Sequence, residues 1–223
     1  MAVAMIVAAG RGERLGFRRP KALVPLCGRP MLEWSVAALR AVPAVTQIVI
    51  ALPADELDAA PEGTVAVAGG LQRSHSVRNA LAACAGGDPV VVHDAARPLA
   101  TPQLFEQALQ ELERHPEASA VIAAAPVADT IKQVGDDGAT VARTLERSTL
   151  WAVQTPQVFR RAALEQALVS ASDEELGRAT DDAWLVERAG GTVRILGSDP
   201  GNMKVTTPED LRVAELLLAE RRT

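Results

Sequence analysis

Four stretches of the chain carry residue types that could act together on phosphates. The first is Ala8-Ala9-Gly10-Arg11-Gly12-Glu13-Arg14-Leu15-Gly16, followed by Arg18-Arg19-Pro20-Lys21. Gly10 and Gly12 let the backbone approach a ligand closely, successive N–H groups can hold an anion, and Arg14 and Lys21 add full positive charge. The second is Gly69-Gly70-Leu71-Gln72-Arg73-Ser74-His75-Ser76-Val77, the third His93-Asp94-Ala95-Ala96-Arg97-Pro98, and the fourth Gly201-Asn202-Met203-Lys204-Val205-Thr206. Each has a plainer reading: a strand-to-helix turn, a loop with a serine near a helix start, a turn held by an Asp94–Arg97 pair, and a solvated surface lysine. The glycine loop does not follow the dinucleotide pattern, because its third glycine is displaced and Pro20 interrupts any helix. It is not a P-loop either, because no Gly-Lys-Ser/Thr closes it.

The elements that must position these residues alternate. β-rich runs at Val3–Val7, Thr46–Leu52, Thr64–Val67, Pro89–His93, Ser119–Ala125 and Thr192–Leu196 are separated by stretches with helical spacing. Those stretches are Met31–Ala41, Arg73–Cys84, Pro102–Arg114, Arg160–Val169, Asp181–Ala189 and Pro208–Arg222. Thr101-Pro102 and Thr207-Pro208 read as an N-cap followed by proline at the first helical position. The alternation predicts a parallel sheet flanked by helices. Val127–Leu150 breaks it: Thr130–Val134 and Thr140–Leu145 are strand-like around Asp136-Asp137-Gly138, which predicts a protruding hairpin. No linker marks a second domain, so residues 1–223 are expected to form one, with an arm at about 127–150.

Composition narrows the function classes. With 48% hydrophobic and 23% charged residues the chain is ordinary globular material. A net charge of −5 argues against a nucleic-acid partner. The longest apolar runs are far short of a membrane span, and the apolar N-terminus lacks the basic region of a signal peptide. Cys27 and Cys84 have no metal-ligand spacing, so a reduced, cytoplasmic protein is expected.

The loop with Pro20-Lys21 resembles that of sugar-phosphate nucleotidyltransferases. Adding Gly-Gly…Arg73-x-x-Ser76-Val77, His93-Asp94-Ala95-Ala96-Arg97-Pro98, Ala125-Pro126-Val127…Asp129-Thr130, Thr155-Pro156-Gln157 and Lys204-Val205-Thr206…Pro208-Glu209-Asp210, the chain resembles methylerythritol-phosphate cytidylyltransferases over nearly its whole length. The resemblance implies a Rossmann-like α/β fold, a mostly parallel sheet with helices on both faces and a β-hairpin dimerisation arm. It implies CMP transfer from CTP to 2-C-methyl-D-erythritol 4-phosphate with release of pyrophosphate. Arg14, Lys21 and Lys204 would be catalytic. Ala8, Ala9, Gly10, Gly12, Gly70 and Ser76 would hold CTP, with Arg73 shaping the loop. Asp94, Arg97 and Thr155 would face the methylerythritol phosphate, joined by Thr130 and Arg147 from the arm of the other subunit of a homodimer. Mg²⁺ would be held mainly by the CTP phosphates, with no protein-only metal site, since His75 and His93 lack a carboxylate at ligand spacing. His93 is expected to brace the Asp94 turn. Two positions depart from the family pattern: Ala22 replaces a common Gln, and His75 an acidic residue. The chain leaves no room after its last helix for the cyclase domain sometimes fused in the family, so a monofunctional protein is expected. The rivals are a ribitol-5-phosphate cytidylyltransferase, which commonly departs from Ala95-Ala96, a nucleotide-binding module without turnover, and an NAD(P)-dependent reductase.

Overall fold

The structure, a computed structural model, describes residues 1–12, 15–17 and 19–221. In chain order the elements are β1 (Ala2–Val7), β2 (Pro25–Leu26), β3 (Arg29–Pro30), α1 (Met31–Arg40), β4 (Val45–Leu52), β5 (Val65–Ala68), α2 (Arg73–Ala82), β6 (Val90–Asp94), α3 (Pro102–Arg114) and β7 (Ala120–Pro126). There follow β8 (Lys132–Val134), β9 (Val141–Thr144), β10 (Trp151–Phe159), α4 (Arg161–Ser170), α5 (Asp173–Arg178), α6 (Asp182–Arg188), β11 (Val193–Gly197) and α7 (Pro208–Glu220). The main sheet has seven strands in the order β11-β7-β10-β6-β1-β4-β5. All neighbours pair in parallel except around β10, which is antiparallel to both β6 and β7.

Strand residues alternate between the two faces, as the two-residue period of a pleated strand requires. Ala4, Ile6, Ile50 and Val91 pack on one face with Leu32 and Leu39 of α1 and with Phe105 and Leu112 of α3. Val3, Met5, Val49 and Val92 pack on the other with residues of α2, α4, α5 and α6. Strands buried on both faces explain the near-continuous apolar runs in the sequence. From β1 the chain runs outward through α1 to β4 and β5, then returns across the opposite face through α2 to β6, on the far side of β1. The carboxyl ends of β1 and β6 thus lie at a switch in strand order, where open α/β sheets form ligand crevices.

Two strand readings needed correction. The region from Trp151 to Phe159 is a central strand, β10, which a proline in its middle had disguised. Its ladder to β7 is irregular between Val153 and Gln157, and Pro156 sits in that gap, where no N–H is required. A short hairpin, β2–β3, turns at Cys27 and Gly28. The six-residue α5 also went unread, although Ser172 and Glu175 form a capping box at its start.

The arm is present as β8 and β9, which pair only with each other and stand off the main sheet. Asp137 shapes its tip by accepting hydrogen bonds from the N–H groups of Ala139 and Thr140. Every residue of both strands is exposed, Val134 and Val141 among them. A third small core gathers Leu15, Leu26, Met31, Leu99 and Val205 under Ala214 and Leu218 of α7. It ties the glycine loop and the Lys204 segment to the same helix.

Candidate active site

The glycine loop and Lys21 form one folded unit. Lys21 N–H donates to the Gly10 carbonyl at 3.1 Å, and Leu15 N–H donates to that of Gly12 at 2.8 Å. Gly12 has φ +69°, and a Cβ there would stand 2.7 Å from Lys21 Cβ, so both the turn and the close approach require glycine. Leu15 is buried in the α7 core, which pins the outgoing end of the loop. Across from it, a Cβ on Gly69 would lie 2.3 Å from that of Ala9. Ser76 Oγ accepts from Gly70 N–H at 3.0 Å and donates to the Gln72 carbonyl at 3.3 Å, which folds the second glycine loop over the start of α2.

Between the two loops lies a cavity of about 250 Å³. Ala8, Ala9, Gly10, Lys21, Gly70 and Ser76 line it, with Asp94, Arg73 and Lys204 at one end. Gly12 faces a wider cleft of about 1000 Å³ on the outer side of the same loops. Backbone N–H groups, small side chains and a lysine around a narrow cavity suit a nucleotide, whose base needs close backbone approach and whose phosphates need positive charge.

A second cavity, of about 360 Å³, adjoins the first and shares Arg73, Asp94 and Lys204 with it. Arg97, Thr155 and Trp184 are among its other walls. The Asp94 carboxylate stands between two cations: Arg73 Nε donates to Oδ1 at 3.0 Å and Lys204 Nζ to Oδ2 at 2.6 Å. Burial by itself would raise the Asp94 pKa, but Arg73 and Lys204 outweigh it and hold the carboxyl well below the usual carboxylate range. Arg73 is also bonded to the buried Asp182. Its guanidinium stays charged because the two carboxylates outweigh the cost of burial.

Beneath Asp94 is a neutral relay. His93 Nε2 lies 3.3 Å from the Arg97 carbonyl, which can only accept, so Nε2 carries the ring proton. Nδ1 then accepts from the Thr155 hydroxyl at 3.0 Å, and that hydroxyl oxygen accepts from Asp94 N–H at 3.1 Å. Every role is filled by an uncharged imidazole. Burial pushes the His93 pKa down to about 4, and Phe105 meets the ring edge-on. His93 therefore braces the turn, as its position at the end of a β run suggested. Asp94 and Arg97, by contrast, make no side-chain pair: Arg97 donates to the carbonyls of Asn202 at 2.7 Å and Val153 at 3.2 Å. It fastens β10 to the Lys204 loop.

The sequence model of the IspD family, 2-C-methyl-D-erythritol 4-phosphate cytidylyltransferase, matches residues 2–220. The chain belongs to this family. The family's protein from Symbiobacterium thermophilum is 48% identical over 223 residues, covering 97% of this chain and 92% of that one. The one from Synechococcus elongatus is 42% identical, covering 97% and 96%. The solved structure of the Thermus thermophilus cytidylyltransferase aligns with a TM-score of 0.81 at 33% identity, covering 98% of this chain and 100% of that one.

Among the residues expected to serve this family's chemistry, the structure brings Lys21, Lys204, Gly10, Gly70, Ser76, Asp94, Arg97 and Thr155 around the paired cavities. Arg14 lies outside the described residues. Thr130 and Arg147 sit exposed on the arm and line neither cavity; Arg147 donates to the Ala128 carbonyl at 2.7 Å. Among the residues that went unread in the sequence are two that support the site from behind its walls. Asn202 is buried and donates to Gln154 Oε1 and to the Thr155 carbonyl, which locks the Lys204 loop to β10. Asp182 holds Arg73. The doubled acid Asp181-Asp182 at a helix start was a readable signal, because only one of the two can cap the helix.

Proposed function

We propose that the protein transfers CMP from CTP to 2-C-methyl-D-erythritol 4-phosphate, giving 4-diphosphocytidyl-2-C-methyl-D-erythritol and pyrophosphate. The observation that carries this reading is the meeting of two cavities at Lys204 and Asp94: a narrow one with glycine loops and Lys21, and a polar one beyond it. CTP fits the first, its cytosine and ribose against Gly70 and Ser76 and its phosphates along Ala8, Ala9, Gly10 and Gly12 toward Lys21. The acceptor fits the second, where Asp94 and Thr155 can accept hydrogen bonds from polyol hydroxyls and Arg97 adds positive charge.

An oxygen of the acceptor phosphate attacks the α-phosphorus in line, the bond to the β-phosphate bridging oxygen breaks, and pyrophosphate leaves. The nucleophile is already anionic at neutral pH, so no base is needed to activate it. The catalytic task is to bring two anions together and to stabilise the added negative charge of the transition state. Lys21 and Lys204 do this from the two sides, and Arg14 joins them by the family pattern. The carboxylate in the nucleotide cavity, Asp94, is taken up by Arg73 and Lys204. Among its described lining residues this cavity thus offers a divalent ion little, and the nucleotide's own phosphate oxygens would supply the donors. Mg²⁺ bound there would neutralise charge on the leaving pyrophosphate.

The working unit is a homodimer in which each arm completes its neighbour's acceptor site through Thr130 and Arg147. In support, the arm exposes Val134 and Val141, and the strand that follows it exposes Trp151 and Val153. Two unpaired cysteines, and the absence of any helix long and apolar enough to cross a membrane among the described residues, support a cytoplasmic setting.

Pyrophosphate release with Mg²⁺ and CTP, compared across methylerythritol phosphate, ribitol 5-phosphate and no acceptor, tests the reading. Release that depends on methylerythritol phosphate is expected. Preference for ribitol 5-phosphate would overturn the acceptor assignment, and silence with both would overturn turnover itself.

A further inference from the structure

The Asp182 carboxylate is fully buried, at the first residue of the seven-residue helix α6. The capping task there belongs to its neighbour: Asp181 Oδ1 accepts from Trp184 N–H at 2.9 Å, and its Oδ2 accepts from Gln157 at 2.9 Å. Asp182 has a different occupation. Its Oδ2 accepts from Arg73 Nη1 at 2.5 Å, and its Oδ1 has no partner among the described residues. A buried ion pair is weak support for stability, and apolar replacements of such pairs are often neutral or stabilising. A buried carboxylate bonded to one arginine, itself bonded to the acceptor-facing Asp94, therefore points to orientation.

We infer that Asp182 is a positioning residue for the acceptor half of the reaction: by engaging one edge of the Arg73 guanidinium it limits Arg73 to a single-nitrogen contact with Asp94. The remaining Asp94 oxygen is then open to Lys204. The inference rests on the transfer proposed above. A guanidinium relieved of Asp182 is free to turn its fork onto Asp94, because two parallel N–H···O bonds are the preferred arginine–carboxylate geometry. Such a fork would take the oxygen that now meets Lys204, and would shift the carboxylate presented to the acceptor hydroxyls. The base end of the nucleotide cavity, at Gly70 and Ser76, is held by its own hydrogen bonds and does not depend on this contact.

The test is steady-state kinetics of the full-length protein as wild type, Asp182→Asn and Asp182→Leu, varying each substrate against saturating amounts of the other, with thermal melting of each variant. In both variants kcat/KM for methylerythritol phosphate should fall roughly tenfold or more, while KM for CTP stays within about threefold. Combining Asp182→Asn with Asp94→Asn should cost no more than Asp94→Asn alone, because the two act through one contact. Unchanged acceptor kinetics in a folded variant, additive losses, or equal losses for both substrates in proportion to lost folded protein would overturn the inference. If neither Asp182 variant folds, Arg73→Lys reads the same link: its point charge cannot bridge the two carboxylates as a fork does, and the same acceptor-selective loss is expected. Wild-type turnover separates the outcomes, since a wild type inactive with methylerythritol phosphate fails the proposed function, whereas an active wild type with indifferent variants fails only the role of Asp182.

Discussion

Gly12 and Lys21 are packed backbone to side chain, so that the glycine loop and its lysine move as one piece. A methyl group at Gly12 would meet Lys21 Cβ at 2.7 Å and Lys21 Cα at 3.1 Å, on a residue already at φ +69°. Gly12→Ala should therefore displace Lys21 and lower kcat by about tenfold or more, since a left-handed non-glycine residue alone costs about 1–2 kcal/mol. That strain is a cost to the folded state, so the melting temperature should fall as well, by roughly 2–8 °C. Unchanged kcat would mean that the loop yields without disturbing the lysine.

Lys21→Ala removes a charge that the transition state needs more than the ground state does. Turnover should fall by roughly 10²–10³-fold, with a smaller effect on CTP binding. A loss confined to KM for CTP would instead assign Lys21 to uniform binding of the nucleotide.

His93 makes stability depend on pH. Its folded pKa, about 4, lies below the unfolded value, so between about pH 4 and 6.5 the unfolded chain binds the extra proton and stability falls as pH falls. The slope approaches about 1.4 kcal/mol per pH unit within that window. Asp94, whose folded pKa is depressed, loses its contribution only at lower pH, while burial raises Asp182 and gives the opposite slope. Comparing urea midpoints of wild type and His93→Asn from pH 4 to 7 isolates the histidine. The variant should be less stable at pH 7 and flatter below pH 6.5; parallel curves would show that His93 is not the group being protonated.

Sharing of sites between subunits can be read from mixtures. On the proposed sharing of sites, Arg147→Ala alone should mainly raise KM for methylerythritol phosphate, because the variant cannot make the proposed bidentate phosphate contact. Mixed with Lys21→Ala protein after exchange of subunits, it should recover measurable activity, because one of the two sites in a mixed dimer carries both wild-type residues. No recovery under conditions where sedimentation shows mixed dimers would contradict arms that reach across.

Local signals were legible where local physics decides. Thr101 and Thr207 cap α3 and α7 as their Thr-Pro pairs suggested, and the central apolar runs became strands buried on both faces, while β5 and β11 lie at the sheet edges. Strand β10 was hidden because Pro156 contradicts a central strand until the irregular ladder around it is known. In the site, residue types were legible and partners were not. The plainer reading of the motif paired Asp94 with Arg97, three residues on; Asp94 pairs instead with Arg73, 21 residues away, and with Lys204, 110 residues away. Such pairs are set by the crossover of α2 and the return of the chain past β11, which no local pattern encodes.

The most direct test of the central claim follows oxygen atoms. Methylerythritol phosphate carrying oxygen-18 in its phosphate is incubated with CTP, Mg²⁺ and the protein, and the products are separated and weighed by mass spectrometry. Attack of the acceptor phosphate on the α-phosphorus predicts that all of the label stays in 4-diphosphocytidyl-2-C-methyl-D-erythritol and that the pyrophosphate is unlabelled. Label in the pyrophosphate, or no pyrophosphate beyond that formed without acceptor, would contradict it.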